Sequence, residues 1–393
     1  MKLTATLVAA VLALAGMACA ETRSSADLAH IADIETALRV TSPDGVVGVE
    51  TLAARMAEVK VPGVSIAFIE DGKVKWTRGY GLADVAAGKP VTPDTLFQAA
   101  SMSKALAAVA SLRLVEQGKL DLDQDINARL TGWKLPPSKF TETDKVTLRR
   151  LLSHTAGLTV HGFPGYAADQ PLPTTVQILN GAAPANTAPI VSDSRPGEKW
   201  NYSGGGYTID QLMVMEATGE PFPETIARLV LKPAGMTRAT ETQPLPQTRR
   251  AQAATGYKLD GQPLPWRFNT YPEYAAAGLW TTPADYGRFM IAVQDAYAGR
   301  SDKLLKPASV KAMMTPGLNR WGLGVQTGRH AGRPTFEHSG GNAGFQCYFF
   351  GFLDGSRQGA VIMTNSDRGS VIGNAVLAAM SRSYGWPDAD KAP

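Results

Sequence analysis

The chemistry of this chain is most directly built from a serine and a lysine three residues apart, in the run Ser101-Met102-Ser103-Lys104. On a helix, positions three apart share a face. A serine at a helix N-terminus sits where the dipole favours negative charge, and a lysine one turn on can share its proton. If that lysine is partly buried, its amine loses charge toward neutral pH and becomes a base. The serine is then an activated nucleophile. The motif occurs once in the 393 residues. Alone it reads equally well as an N-cap serine followed by a solvated lysine. Its place favours chemistry, because it follows a turn-rich segment and opens an apolar helix, 101–117, that stops at Gly118.

Two further clusters carry groups such a nucleophile would need. In Trp200-Asn201-Tyr202-Ser203-Gly204-Gly205-Gly206 a tyrosine precedes three glycines, which let backbone or ligand approach closely. A phenol is a poor base unaided, but a neighbouring lysine cation makes its phenolate more accessible. The competing reading is a buried tyrosine hydrogen-bonded beside a turn. His338-Ser339-Gly340-Gly341, with Asn342 and Gly344 following, closes a candidate strand. Its small residues let an extended substrate lie along the strand. The N–H groups of Gly341 and Ser101 form a candidate oxyanion hole. His338 is placed to bind a carboxylate or to position a proton-transfer group. A glycine-rich hairpin with a satisfied histidine is the alternative. There is no His-Glu-x-x-His, no paired cysteine and no phosphate loop, so the sequence implies neither metal nor cofactor.

The elements that must hold these groups are legible in outline. Residues 25–58 read as helical through Leu28, Ile31, Ile34, Leu38, Leu52, Met56 and Val59. An apolar run at 64–69, then Asp71-Gly72, Val74 and Trp76, signals a hairpin. Between 119 and 290 short helical stretches (147–153, 206–218, 223–235) alternate with Pro- and Gly-rich turns. Strand signals return at 321–325, 335–338, 344–353 and 359–365, the last two around Asp354-Gly355, and 369–385 is a closing helix. The expected fold is α+β. An antiparallel sheet from both chain ends is flanked by helices, and a mostly helical lobe is inserted. The expected lobes are 21–100 with 291–393, and 101–290, with the site in the cleft between them.

Taken in order, Ser-x-x-Lys, Tyr-Ser-Gly and His-Ser-Gly-Gly resemble the penicillin-recognising serine hydrolases: class C β-lactamases, DD-peptidases, β-lactamase-like esterases and D-amino-acid-specific peptidases. Supporting phrases are Leu151-Leu152-Ser153-His154-Thr155-Ala156-Gly157-Leu158, Pro196-Gly197, and Ala277-Gly278-Leu279 before Thr282-Pro283, so the resemblance covers about residues 50–385. It implies the fold just described. Position by position it makes Ser101 the nucleophile, Lys104 its proton acceptor or organiser, and Tyr202 the general base and acid. Ser101 and Gly341 supply the oxyanion hole, while His338, Ser339, Gly340 and Gly204 bind substrate and His154 is structural. Which of Lys104 and Tyr202 is the main base stays open. Two positions depart from the class C pattern: Gly204 stands where an asparagine amide is usual, and His338 where a lysine is usual. Histidine is mostly neutral at pH 7. Both changes point to the esterase and peptidase branches. The implied activity is acyl transfer through a Ser101 acyl-enzyme on ester or amide (peptide) substrates. A true class C-type β-lactamase or DD-carboxypeptidase is the alternative enzyme, and a non-catalytic β-lactam or peptidoglycan sensor the alternative outside catalysis.

Composition sets the surroundings. Residues 1–20 combine Lys2, an apolar run from Leu3 to Ala18, and a small-x-small end at Ala18-Cys19-Ala20, the build of a secretory signal. The expected location is secreted or periplasmic. Lipid attachment at Cys19 is the second option, which Leu14-Ala15-Gly16-Met17-Ala18 fits poorly. Cleavage would leave Cys347 as the one cysteine, so no internal disulfide is expected. A formal charge of +4 with both signs interspersed argues against nucleic acid or an anionic membrane as partner. The expected partner is a small-molecule or peptide substrate, with cell-wall material one source, and the mature chain should have no integral membrane span.

Overall fold

The computed structural model describes residues 24–386 apart from 42–44 and 46. The leader expected at 1–20 lies outside the described residues. Seven strands form an antiparallel sheet: β1 (Gly63–Glu70), β2 (Lys73–Asp84), β3 (Lys89–Pro90), β4 (Gln326–His330), β5 (Arg333–Asn342), β6 (Phe345–Phe352) and β7 (Gly359–Thr364), in the order β3-β2-β1-β7-β6-β5-β4. The N-terminal and C-terminal strands meet where β1 pairs with β7, Val64 opposite Thr364 through Ile69 opposite Gly359. β1 is central and covered on both faces, which is why its sequence is a continuous apolar run rather than an alternating one.

Alternation along β1 divides the core. Val64, Ile66 and Phe68 face a cluster with Ile31 and Ile34 of helix α1 (Ser25–Thr36) and Val376 and Met380 of helix α5 (Gly369–Ser383). Ala67 and Ile69 face the other side, where Phe289, Met290 and Val293 of helix α4 (Pro283–Tyr297) cover the sheet. That second cluster continues without a break into the helical region through α2 (Ser103–Glu116) and α3 (Gly204–Thr218). Local signals set the helix ends. Ser203 caps α3 through Gly206 N–H, and Gly219 ends it at φ 71°. Thr282 caps α4, with Pro283 at its first position.

Two expectations need correction. Residues 25–58 are not continuously helical: α1 and Leu52–Glu58 are separated by a two-stranded hairpin, Leu38–Thr41 with Val47–Glu50. The sequence Ser42-Pro43-Asp44-Gly45 carries the turn chemistry that competes with the helix period. Nor is 321–325 a strand; the pairing begins at Gln326. Gly324, at φ 83°, lies so close to α2 that a Cβ there would meet Ala108 Cβ at 2.5 Å and Lys104 O at 3.0 Å. The segment is a tight loop laid on the helix that carries the lysine.

Candidate active site

The site begins with a backbone irregularity. Ala100 has φ 49°, a conformation few non-glycine residues adopt. It opens a single 3-10 turn, Ala100–Met102, that runs into α2 and leaves Ser101 half-buried at the surface of a cleft. The turn is tied down from several directions. Ala99 N–H donates to Leu279 O (2.8 Å), Ser103 Oγ donates to Ala100 O (2.7 Å) and accepts from Leu279 N–H (3.0 Å), and Tyr286 donates to Met102 O (3.0 Å). It also packs directly on β5: a Cβ at Gly340 would lie 2.2 Å from Ala99 O, so only glycine permits this approach.

Eleven of the fourteen residues of α2 are buried, so a side chain projecting from its first turn does not reach water. Lys104 is 1% exposed. Its Nζ donates to Ser101 Oγ at 3.0 Å and to Ala276 O at 2.8 Å. No described carboxylate pairs with it. The buried acids behind the turn that supplies Ala276 O, Glu241 and Glu273, are pushed up by burial, Glu273 to about 8, toward the neutral form. Desolvation therefore acts on Lys104 uncompensated and lowers its pKa to about 7.

Tyr202 lines the same cleft as Ser101 and lies under the lysine, whose Nζ is 5.0 Å from the ring centroid. The sequence led us to expect that the lysine would make the phenolate accessible. Burial decides instead, and holds the Tyr202 phenol well above its ordinary value. Its ring is fixed by His154, stacked at 4.1 Å, whose Nδ1 accepts from Ser203 N–H at 3.1 Å. His154, at φ 57° and 1% exposed, is thus a positioning residue for Tyr202.

Across the cleft, β4 pairs only with Arg333–Glu337, so the stretch from His338 to Asn342 has no β4 partner along that edge. Ser101, Tyr202, His338, Ser339 and Gly341 all line one cleft of about 680 Å³. Gly340 lies beneath it against the Ser101 turn, and Gly204 is buried away from it: a Cβ on Gly204 would meet Phe163 Cε2 at 2.9 Å and His161 O at 3.0 Å. His338 Nδ1 lies 2.5 Å from Ser339 O. A carbonyl only accepts, so this nitrogen carries the hydrogen. Burial, reinforced by Lys104, lowers the His338 pKa to about 3, so the ring is neutral and Nε2 is a bare, unpartnered acceptor. Cys347 is an inert neighbour, its thiol bonded to Gln98 O and pushed up to about 12 by burial.

Several contributors to the site had escaped sequence reading. Ala276 acts through its carbonyl, which no side-chain pattern signals. Trp200 and Trp321 wall the cleft around Tyr202, and His161 lies 4.8 Å from its ring. Trp200 stands two residues before Tyr202, a signal that was available; Trp321 was read as strand. Among the described residues no group of three or more His, Cys, Asp or Glu is placed to hold a metal ion, and no helix is long and apolar enough to cross a membrane.

Comparison with known proteins fits this geometry. A family model described as Beta-lactamase matches residues 49–380. Protein flp of Staphylococcus aureus strain N315 is 29% identical over 230 residues, 58% of this chain and 42% of that protein, so the chain spans less than half that relative's length. The octameric penicillin-binding protein homologue from Pyrococcus abyssi superposes with a TM-score of 0.72 at 25% identity, over 87% of this chain and 77% of that one. The D-amino acid amidase from Ochrobactrum anthropi SV3, solved with L-phenylalanine amide, gives 0.67 at 22%, over 85% and 97%. The last of these shares the fold.

Proposed function

The chain belongs to the beta-lactamase family, and from that premise we propose that it is an exported serine hydrolase that cleaves uncharged esters or amides through a Ser101 acyl-enzyme. One observation carries the reading: a Lys104 amine 1% exposed, with no carboxylate partner among the described residues, held 3.0 Å from the Ser101 hydroxyl, where burial lowers its pKa to about 7. A neutral Lys104 donates one hydrogen to Ala276 O and turns its lone pair to the Ser101 proton. Oγ attacks the substrate carbonyl as that proton moves to Nζ. The N–H groups of Ser101 and Gly341 receive the oxyanion. Tyr202, a neutral phenol at neutral pH, protonates the departing oxygen or nitrogen and is resupplied by the Lys104 ammonium. Water then attacks the acyl-enzyme by the same route in reverse, releasing the acid and restoring Ser101. Lys104 rather than Tyr202 is the main base, because burial keeps the phenol protonated.

His338 supports the substrate class. Its ring is neutral and brings no charge to a substrate carboxylate. The amidase named above, which shares the fold, is in keeping with an amide or ester carbonyl as the reacting group.

The test is turnover of a short-chain p-nitrophenyl ester and a chromogenic cephalosporin by residues 21–393, with Ser101→Ala as control. We expect ester turnover that disappears in Ser101→Ala while the melting temperature stays within a few degrees, and a cephalosporin rate at least a hundredfold lower. Hydrolysis retained in Ser101→Ala would refute the assignment. A cephalosporin rate matching the ester rate would refute the preference for uncharged substrates.

A further inference from the structure

Lys104 owes its orientation to a turn of chain far from it in sequence. Among the described residues its Nζ hydrogen-bonds two groups, Ser101 Oγ at 3.0 Å and Ala276 O at 2.8 Å. The first is the group it acts on, so the second is the fixed point from which the amine is aimed. Ala276 O belongs to a single helical turn, Tyr274–Ala277, too short to hold itself. Its internal bonds run from Ala276 and Ala277 N–H to Glu273 O, at 3.1 and 2.9 Å. The Glu273 carboxyl is buried and has no hydrogen-bond partner, so it does not anchor the turn. The titratable groups that face Nζ from the other elements supply no charge to replace the carbonyl. They are the Tyr202 and Tyr207 rings, with centroids at 5.0 and 5.4 Å, and the imidazoles of His154 and His338, which burial keeps neutral.

What holds the turn is a side chain of α3. Gln211 is fully buried, and its amide spans the start of the turn: Nε2 donates to Pro272 O at 3.1 Å, and Oε1 accepts from Ala275 N–H at 3.2 Å. A carbonyl only accepts and a backbone N–H only donates, so the amide has one orientation. Nε2 also donates to Thr175 Oγ1 at 3.1 Å, which ties it to the helix Thr175–Asn180. The far end of the turn is held from β5, where Asn342 Nδ2 donates to Ala277 O at 3.2 Å and to Gln98 Oε1 at 2.8 Å. Ala276 O therefore stands between two buried amides. Helix α3 serves both proton-transfer partners of Ser101: Tyr202 precedes its Ser203 cap, and Lys104 is reached from its middle through Gln211 and the turn.

We propose that Gln211 is a positioning residue for Lys104: its amide fixes the turn that presents Ala276 O, and through that carbonyl it sets the direction in which the amine meets Ser101. This rests on the hydrolase reading above. Gln211→Met keeps the length of the side chain and removes both bonds to the turn. The released carbonyl no longer aims the amine, so kcat/KM for p-nitrophenyl acetate should fall at least about tenfold at pH 8, where the wild-type amine is already largely neutral. A carbonyl holds an ammonium more strongly than a neutral amine, so its release should also move the bend in the pH–rate profile down by about half a unit or more. A loosened core alone lowers the melting temperature but leaves the bend in place. Rates are therefore compared well below each variant's melting temperature. Gln211→Asn, an amide one methylene too short to reach both groups, is measured beside it in case the methionine variant does not fold, and the same downward move is expected. A bend that stays in place or rises in the folded variant, or a smaller loss of kcat/KM, would overturn the positioning role. If the wild type shows no turnover that disappears in Ser101→Ala, the hydrolase reading itself falls, and this inference with it.

Discussion

Burial of Lys104 has a calculable consequence for rate. An amine with the ordinary lysine pKa of 10.5 is neutral in about 3 molecules per 10,000 at pH 7, whereas one lowered to about 7 is neutral in about half. Burial therefore raises the neutral fraction of this amine at pH 7 by about a thousandfold. If Lys104 accepts the Ser101 proton, kcat/KM for a p-nitrophenyl ester should rise about tenfold per unit from pH 5 to pH 6, bend near 7, and level above 8. Lys104→Arg keeps a cation that does not deprotonate in this range and should cost at least about a thousandfold in kcat/KM. The same burial has the opposite sign for stability. Between about pH 7 and 10.5 the unfolded chain binds a proton that folded Lys104 has released, so this group's contribution to stability rises with pH across that window and is least favourable below it. The difference across the window is up to about 5 kcal/mol. Lys104→Met keeps the volume and removes the buried amine, but leaves Ala276 O unpaired, which costs about 1–3 kcal/mol. It should therefore be inactive yet more stable at pH 7 by about 2–4 kcal/mol, read from urea midpoints. A flat pH–rate profile between 5 and 8, or a Lys104→Arg enzyme within tenfold of the wild type, would refute the assignment of Lys104 as base.

Further outcomes follow from the packing. Gly340→Ala must separate β5 from the Ser101 turn, since the new Cβ meets a backbone oxygen at 2.2 Å. Ester turnover should fall at least about tenfold and the unfolding free energy from urea titration should drop by about 1–3 kcal/mol. Gly341→Ala meets only the flexible end of Gln346, at 3.0 Å, and should cost less stability; equal losses would contradict the close approach at Gly340. Asp210, fully buried between α3 and α2, accepts from Ser111 Oγ at 2.6 Å while its other oxygen has no partner, and burial raises its pKa to about 7. Between about pH 4 and 7 the folded chain holds a proton that the unfolded chain has released, so this group's contribution to stability declines as pH rises through that window. Asp210→Asn should gain on the wild type from pH 5 to pH 8 by a few kcal/mol in urea titrations, and a constant gap would show that the carboxyl is not protonated in the fold.

Much of the site was legible because its chemistry travels with short local patterns. Ser101 and Lys104 are one helical turn apart, Tyr202 precedes its own helix cap, and His338 to Gly341 is a strand end; each geometry is set within a few residues. The sheet was legible for a similar reason, since runs such as 64–69 and 359–364 reveal central strands by being apolar on both faces. What failed was local competition. The hairpin after α1 carries helix-period residues on strands, and Trp321 to Val325 looks like a strand but is a loop pinned to α2 by Gly324.

The sequence by itself determined which groups are present and how neighbours within one element are spaced. Nothing in it determined their protonation. Whether Lys104 is a cation or a base, whether Tyr202 is phenol or phenolate, and whether His338 carries charge depend on how much water the fold removes and on which charges it brings near, and these are sums over residues far apart in the chain. The glycines of 204–206 make the same point. Their sequence announced that something approaches closely, but only the folded chain shows that it is the strained segment at Val160.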